Sequence, residues 1–358
     1  MDDVTLETRA NSGDTAAQME LAGRLDARGQ IDPSRGWFAR AARSGSRDGL
    51  RELGISLLKR PPFRLADGLR FVHNAAQQGD AGALRICAAL AAQDVQLAGR
   101  WELALDFLRR AAEAGSDAAR RDLRLLSRET EAGTDWAGLA RRVDIAAWRR
   151  ETPFAVVSET PRICVIENFA SAEFCDWLIG ESEAILTRAK TYTRGAASPA
   201  EDARRTNREA GFDVTRWGLA VSFLRERIAR LTQASPLSLE NPMVLCYDPG
   251  ESFAPHHDFL DPDVAHLRDE IATMGQRVAT FLVWLNEDFE GAETEFVKLG
   301  LRFRGRKGDA IMWRNVDEAG RPDLRTLHAG RAPTAGRKWL LSQWVREDYP
   351  GAAGAARN

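Results

Sequence analysis

The chain has 358 residues, length enough for two domains, and its 44% hydrophobic and 28% charged residues suit a chain with a sizeable core. A formal net charge of -2 gives no basic field, which argues against nucleic acid or an anionic membrane as partner. The four cysteines (Cys87, Cys164, Cys175, Cys246) form no CxxC pair, the start Met1–Glu7 is acidic, and no apolar run could span a bilayer, so a cytoplasmic location is expected.

The first third of the chain repeats. Arg9-Ala10-Asn11-Ser12-Gly13 returns as Ala41-Ala42-Arg43-Ser44-Gly45, Ala75-Ala76-Gln77-Gln78-Gly79 and Ala111-Ala112-Glu113-Ala114-Gly115, with the glycines 32, 34 and 36 positions apart. A near-constant period in this range predicts an α-solenoid of helix pairs. Each glycine should cap one helix, such as the one through Trp37–Ala42 or Ala104–Ala112. A second helix should follow, as in Gly49–Gly54 or Ala81–Ile86. The pattern resembles Sel-like repeats, which are related to the tetratricopeptide class. Such arrays offer a concave surface for a peptide or protein. The expected division is a repeat domain over 1–130, a helical linker over 131–160, a catalytic domain over 161–348 and a tail over 349–358. His73, inside the repeats, reads as structural.

Beyond Pro161, Ala170–Leu186 and Val214–Thr232 read as helices. Between them Thr187–Asp213 is polar and loop-rich, a candidate lid that would order over a bound substrate. Arg204 and Arg205 lie in it and could meet an acidic substrate, but they read first as a solvated surface pair. From Pro242 onward short strands dominate, including Met243–Tyr247, Leu301–Arg304 and Asp309–Trp313. They predict a double-stranded β-helix, or jelly roll, with flanking helices. The whole chain is thus read as multidomain, α followed by α+β.

The chemistry lies among these strands. Side chains alternate between faces in an extended chain, so His256 and Asp258 point one way and His257 the other. His328 follows the turn-rich Glu318–Asp323 and precedes Gly330 and Pro333, where it can fold back onto the first strand. Two imidazoles and one carboxylate are the ligand set of a non-heme Fe(II) site with an open face. Lys338 follows the turn residues Pro333 and Gly336 and opens the apolar run Trp339–Val345. His328 is expected to end one strand and Lys338 to begin its neighbour. A five-carbon 2-oxo diacid chelating the metal would put its far carboxylate near that ammonium. Phe281, Trp284 and Trp313 read as core or as shielding for the site, and His266 as a surface residue on a helix.

These motifs together resemble the prolyl 4-hydroxylase alpha-subunit family of iron(II)/2-oxoglutarate-dependent dioxygenases, over about Pro161–Glu347. The supporting pieces are Glu167-Asn168-Phe169, Tyr247 to Asp258, Arg277 to Asn286, Gly291 to Phe296, Lys307-Gly308-Asp309-Ala310, Leu327-His328-Ala329-Gly330 and Lys338-Trp339. The resemblance implies His256, Asp258 and His328 as iron ligands and Lys338 as partner of the distal 2-oxoglutarate carboxylate. It adds Tyr247 as a hydroxyl lining the co-substrate pocket. It also implies Fe(2+), 2-oxoglutarate and O2 as requirements, with L-ascorbate as a candidate reductant. Two positions depart from the pattern. Gly291-Ala292-Glu293-Thr294 replaces a Gly-Gly-Glu-Thr element, and His257 stands where many relatives carry an aromatic residue.

Three functions compete at this point. The first is hydroxylation of a peptidyl residue, prolyl foremost, with release of succinate and CO2 and with the repeats docking the substrate. The second is the same chemistry on a small molecule. The third is a non-catalytic scaffold with a decayed jelly roll.

Overall fold

The computed structural model describes residues 2–129, 133–190 and 201–347. The chain divides into two compact units, Met1–Ile145 with Val214–Ser222, and Ala146–Asp213 with Phe223–Asn358. The expected tail over 349–358 and the middle of the candidate lid, 191–200, lie outside the described residues.

The first unit is built from consecutive helices. They are α1 (Asp3–Asn11), α2 (Thr15–Ala27), α3 (Ile31–Arg43), α4 (Arg47–Lys59), α5 (Leu65–Gln77), α6 (Ala81–Gln93), α7 (Arg100–Glu113), α8 (Asp117–Ser127) and α9 (Trp136–Arg142). The repeated glycines make its tight corners. Gly45 sits at φ +88 and Gly79 at φ +79, a left-handed conformation that costs a side-chain-bearing residue energy. In each corner two amides fold back on the helix just ended: Gly45 N–H donates to Ala42 O and Ser46 N–H to Ala41 O, as Gly79 and Asp80 do to Ala76 and Ala75. The next residue is already the cap of the following helix. Asp14, Ser46, Asp80 and Ser116 accept from the amides of Ala17, Gly49, Ala83 and Ala119. Glycine plus capping residue thus ends one helix and starts another within two positions. Fully buried alanines (Ala10, Ala41, Ala75, Ala111) let the helices approach closely.

The second unit carries α10 (Ile145–Trp148, whose first residue groups with the first unit), β1 (Ala155–Glu159), β2 (Arg162–Ile166), α11 (Ala172–Glu183), β3 (Thr187–Arg188), β4 (Arg208–Gly211) and, from Phe223 on, α12 (Gly218–Thr232, whose start to Ser222 groups with the first unit). Then follow β5 (Met243–Tyr247), β6 (Phe253–His256), α13 (Ala265–Met274), β7 (Arg277–Trp284), β8 (Phe289–Gly291), β9 (Thr294–Phe296), β10 (Leu301–Phe303), β11 (Ala310–Arg314), β12 (His328–Gly330), β13 (Pro333–Gly336) and β14 (Lys338–Arg346). An eight-stranded sheet runs β1-β2-β11-β7-β14-β5-β4-β3, and a four-stranded sheet runs β10-β9-β12-β6. All pairings are antiparallel. Apolar side chains from both sheets (Leu245, Leu282, Trp284, Phe296, Trp313, Leu340) fill the space between them, a jelly-roll core.

Three expectations need correction. β1 lies before the expected catalytic start at residue 161, because Val156 and Val157 are exposed and give no alternation signal. The helices begin later than expected, at Ala172 and Gly218. His328 opens β12, within the smaller sheet, and Lys338 opens β14, within the larger, so they are not on neighbouring strands. The intervening Pro333–Gly336 is itself strand β13, paired with β8.

Candidate metal centre

β6 and β12 pair antiparallel, with His256 directly opposite His328. Asp258 follows His256 by two positions. One ligand atom from each of these three residues falls within a cluster spanning no more than 4.8 Å, and they form the one such His/Cys/Asp/Glu group among the described residues. Nε2 of His256 lies 3.7 Å from Asp258 Oδ1, and Nε2 of His328 lies 3.5 Å from Oδ2.

The hydrogen bonds fix both imidazole tautomers. His256 Nδ1 donates to Ala254 O at 2.9 Å and His328 Nδ1 to Thr326 O at 3.0 Å. Each Nε2 is thereby turned toward Asp258. Burial, followed by the neighbouring His328, pushes the His256 pKa down to about 3, which keeps the ring neutral. Burial opposes the Asp258 charge, but His328, His256 and the Thr280 hydroxyl outweigh it and hold the carboxyl below its usual range. A neutral His256 ring and an ionised Asp258 carboxylate suit a divalent cation. Phe253 stacks on His256 at 3.5 Å, and Trp313 meets His328 edge-on at 4.8 Å.

Tyr247 and Lys338 face each other across the β5–β14 pair and share an enclosed space of ≈ 40 Å³ with the three ligand candidates. Lys338 is 1% exposed and, among the described residues, has no carboxylate at ion-pair distance. Its Nζ donates to Ala292 O at 2.6 Å and lies 5.6 Å from the Tyr247 ring. Burial pushes its pKa down to about 7. A buried lysine that no carboxylate touches fits an incoming carboxylate. Ala292 holds φ +57, a left-handed conformation, at the position where the sequence departs from Gly-Gly-Glu-Thr. Burial raises the Tyr247 phenol to about 12. A larger groove of ≈ 1330 Å³ on the same unit, past Arg227 and Arg314, contains none of these five residues.

The residues set aside fall as follows. His257 stacks on Phe259, and its Nε2 donates to Leu324 O, away from the cluster. His266 is exposed on α13, and His73 meets Gln77 within α5. Arg204 is exposed beside Asp202, but Arg205 is 6% exposed, which corrects the expected solvated pair. It is buried because Glu209 neutralises it at 2.6 Å and the Phe253 ring stacks on it at 4.8 Å. Arg205 lines the same space, a place the sequence reading did not give it, and Thr280 and Asn315 behind Asp258 were missed. Thr280 had a signal: it is a lone hydroxyl in the apolar run Val278–Trp284, and a buried hydroxyl must find a partner.

Residues 242–346 match the 2OG-Fe(II) oxygenase superfamily. The chain is 30% identical to prolyl 4-hydroxylase 1 of Arabidopsis thaliana over 206 residues, covering 54% of this chain and 71% of that protein. It is 32% identical to prolyl 4-hydroxylase subunit alpha-1 of Bos taurus over 127 residues, covering 36% of this chain and 24% of that one. Among solved structures, the 2OG complex of a viral collagen prolyl hydroxylase from Paramecium bursaria Chlorella virus-1 aligns with a TM-score of 0.40 at 24% identity. It covers 51% of this chain and 95% of that one.

Proposed function

We propose, since this chain belongs to the prolyl 4-hydroxylase family within the 2OG-Fe(II) oxygenase superfamily, that its second unit hydroxylates a prolyl residue of a peptide or protein. In this reading His256, Asp258 and His328 hold the iron, Lys338 binds the distal carboxylate of 2-oxoglutarate, and the Tyr247 hydroxyl lines the same pocket. When bound, iron(II) with 2-oxoglutarate and O2 supplies the oxidative decarboxylation to succinate and CO2 that drives hydroxylation of a C–H bond. The protein's own part is orientation and exclusion of water. The two Nδ1–H groups hold the rings, the buried ammonium sets one end of the diacid, and Phe296, Trp313, Leu282 and Leu340 keep the surroundings dry.

The observation that carries this reading is one cavity holding two imidazoles, one carboxylate and a buried lysine that has no carboxylate partner among the described residues. We assign the helix pairs of the first unit to the Sel-like class and give them the docking of the macromolecular substrate. We place the chain in the cytoplasm on its four buried, unpaired thiols. Among the described residues no helix is long and apolar enough to cross a membrane. L-ascorbate would serve as reductant for the iron, a role that its omission from repeated turnovers tests. The decisive experiment incubates the protein with Fe(II), 2-oxoglutarate and proline-containing peptides, then reads succinate release and the gain of one oxygen by mass spectrometry. Absence of any succinate would remove the reading, and succinate with oxygen gain only on free small molecules would replace its substrate.

A further inference from the structure

A polar chain lies behind the carboxylate. Thr280 Oγ1 donates to Asp258 Oδ2 at 2.7 Å, and Asn315 Nδ2 donates to Thr280 Oγ1 at 3.0 Å. Its direction is forced. An ionised carboxylate only accepts, and a hydroxyl has one proton to give, so the Thr280 oxygen is left to accept and must face the amide's NH2. That orientation leaves Asn315 Oδ1 buried with no partner among the described residues, a cost that the Thr280 contact imposes. Thr280 is 1% and Asn315 0% exposed, so bulk water does not compete.

The main chain of the same asparagine reaches the opposite side of the centre. Its carbonyl accepts from Asp323 N at 3.0 Å, and Asp323 O accepts from Thr326 N at 3.1 Å and Thr326 Oγ1 at 2.7 Å. Thr326 O in turn accepts the His328 Nδ1–H. Asn315 N donates to Val278 O at 2.9 Å, which pins the residue to β7 two positions from Thr280.

We propose that Asn315 is a positioning residue that sets the Asp258 carboxylate through its side chain and the His328 imidazole through its carbonyl, so that both face one metal ion. This rests on the iron reading above. Two arms leave one buried residue and end on two of the three donors. An asparagine serving packing alone would need neither the Thr280 contact nor the stranded oxygen.

The test titrates full-length protein with Co(II) anaerobically and follows its visible absorption, which reports both affinity and ligand geometry. Asn315→Asp is nearly isosteric but makes a second acceptor compete for the one Thr280 proton. Thr280→Val removes that proton, and Thr280→Ser keeps it. The expected result is Co(II) binding weakened about tenfold or more in Asn315→Asp and Thr280→Val, with an altered spectrum, and wild-type behaviour in Thr280→Ser. If Asn315→Asp does not fold, Thr280→Val decides. Binding within twofold of wild type in the folded variants, or loss of folding in both, overturns the inference. The iron reading fails separately: wild type that binds no Co(II), or His256→Ala that binds as tightly as wild type, would sink it.

Discussion

The buried Lys338 makes diacid binding depend on pH. In the free protein burial pulls its pKa from 10.5 to about 7. A bound dianion beside the ammonium favours the charged form and raises the pKa again. Below pH 7 the lysine is already protonated and affinity is flat. Above pH 7 binding must first take up a proton, so each further unit costs about 1.4 kcal/mol, or tenfold, until the pKa of the complex is passed. Between pH 6.5 and 8.5 the dissociation constant of 2-oxoglutarate should therefore rise about 25-fold, from the ratio of the two protonated fractions. Calorimetry on protein loaded with Mn(II), in buffers of different ionisation enthalpy, should show uptake of nearly one proton per ligand at pH 8. Lys338→Met should bind weakly at every pH and lose the slope. A flat wild-type affinity with no proton uptake would refute the lysine as the carboxylate's partner.

His256→Ala and Asp258→Ala should each abolish succinate formation while circular dichroism stays that of the wild type, and full activity in either would refute the donor set. His257→Ala should be mild, because its ring turns to Phe259 and Leu324; complete loss there would mean the donor is the other histidine. Gly45→Ala meets nothing within 4 Å, so its cost is conformational alone, about 1 kcal/mol from the left-handed φ of +88. A lower thermal midpoint should report it, and an unchanged midpoint would show that the corner relaxes freely.

Local chemistry was legible in the sequence wherever a short motif contains its own geometry. Glycine followed by Asp or Ser encodes a whole helix–helix corner, and the spacing of His256 and Asp258 encodes a shared face. What the sequence hid depends on pairings between distant segments. β2 lies beside β11, with Ile163 opposite Trp313. No local pattern says that His328 and Lys338 belong to different sheets, or that Asn315 comes to lie behind Asp258. Arg205 was hidden for a related reason: a guanidinium is buried only where a distant ring and a near carboxylate meet it together.

The site therefore depends on register. His256 and His328 converge because β6 and β12 align them opposite each other, and Lys338 meets Tyr247 because β14 and β5 align them. A slip of one residue in β6 would present Pro255 and His257 in place of His256 and Asp258, since the side-chain period is two. Such a slip is opposed by contacts that only one register allows. The Ala254 amide donates to Arg204 O, Phe253 stacks between Arg205 and His256, and the Leu260 amide donates to Gln276 Oε1. The hydrogen bonds flank the His256–Asp258 segment on both sides, and the stack ends on the His256 ring itself. Contacts outside the three donors thus fix which faces of this segment can reach a metal, and Arg205 takes part in them through the Phe253 ring.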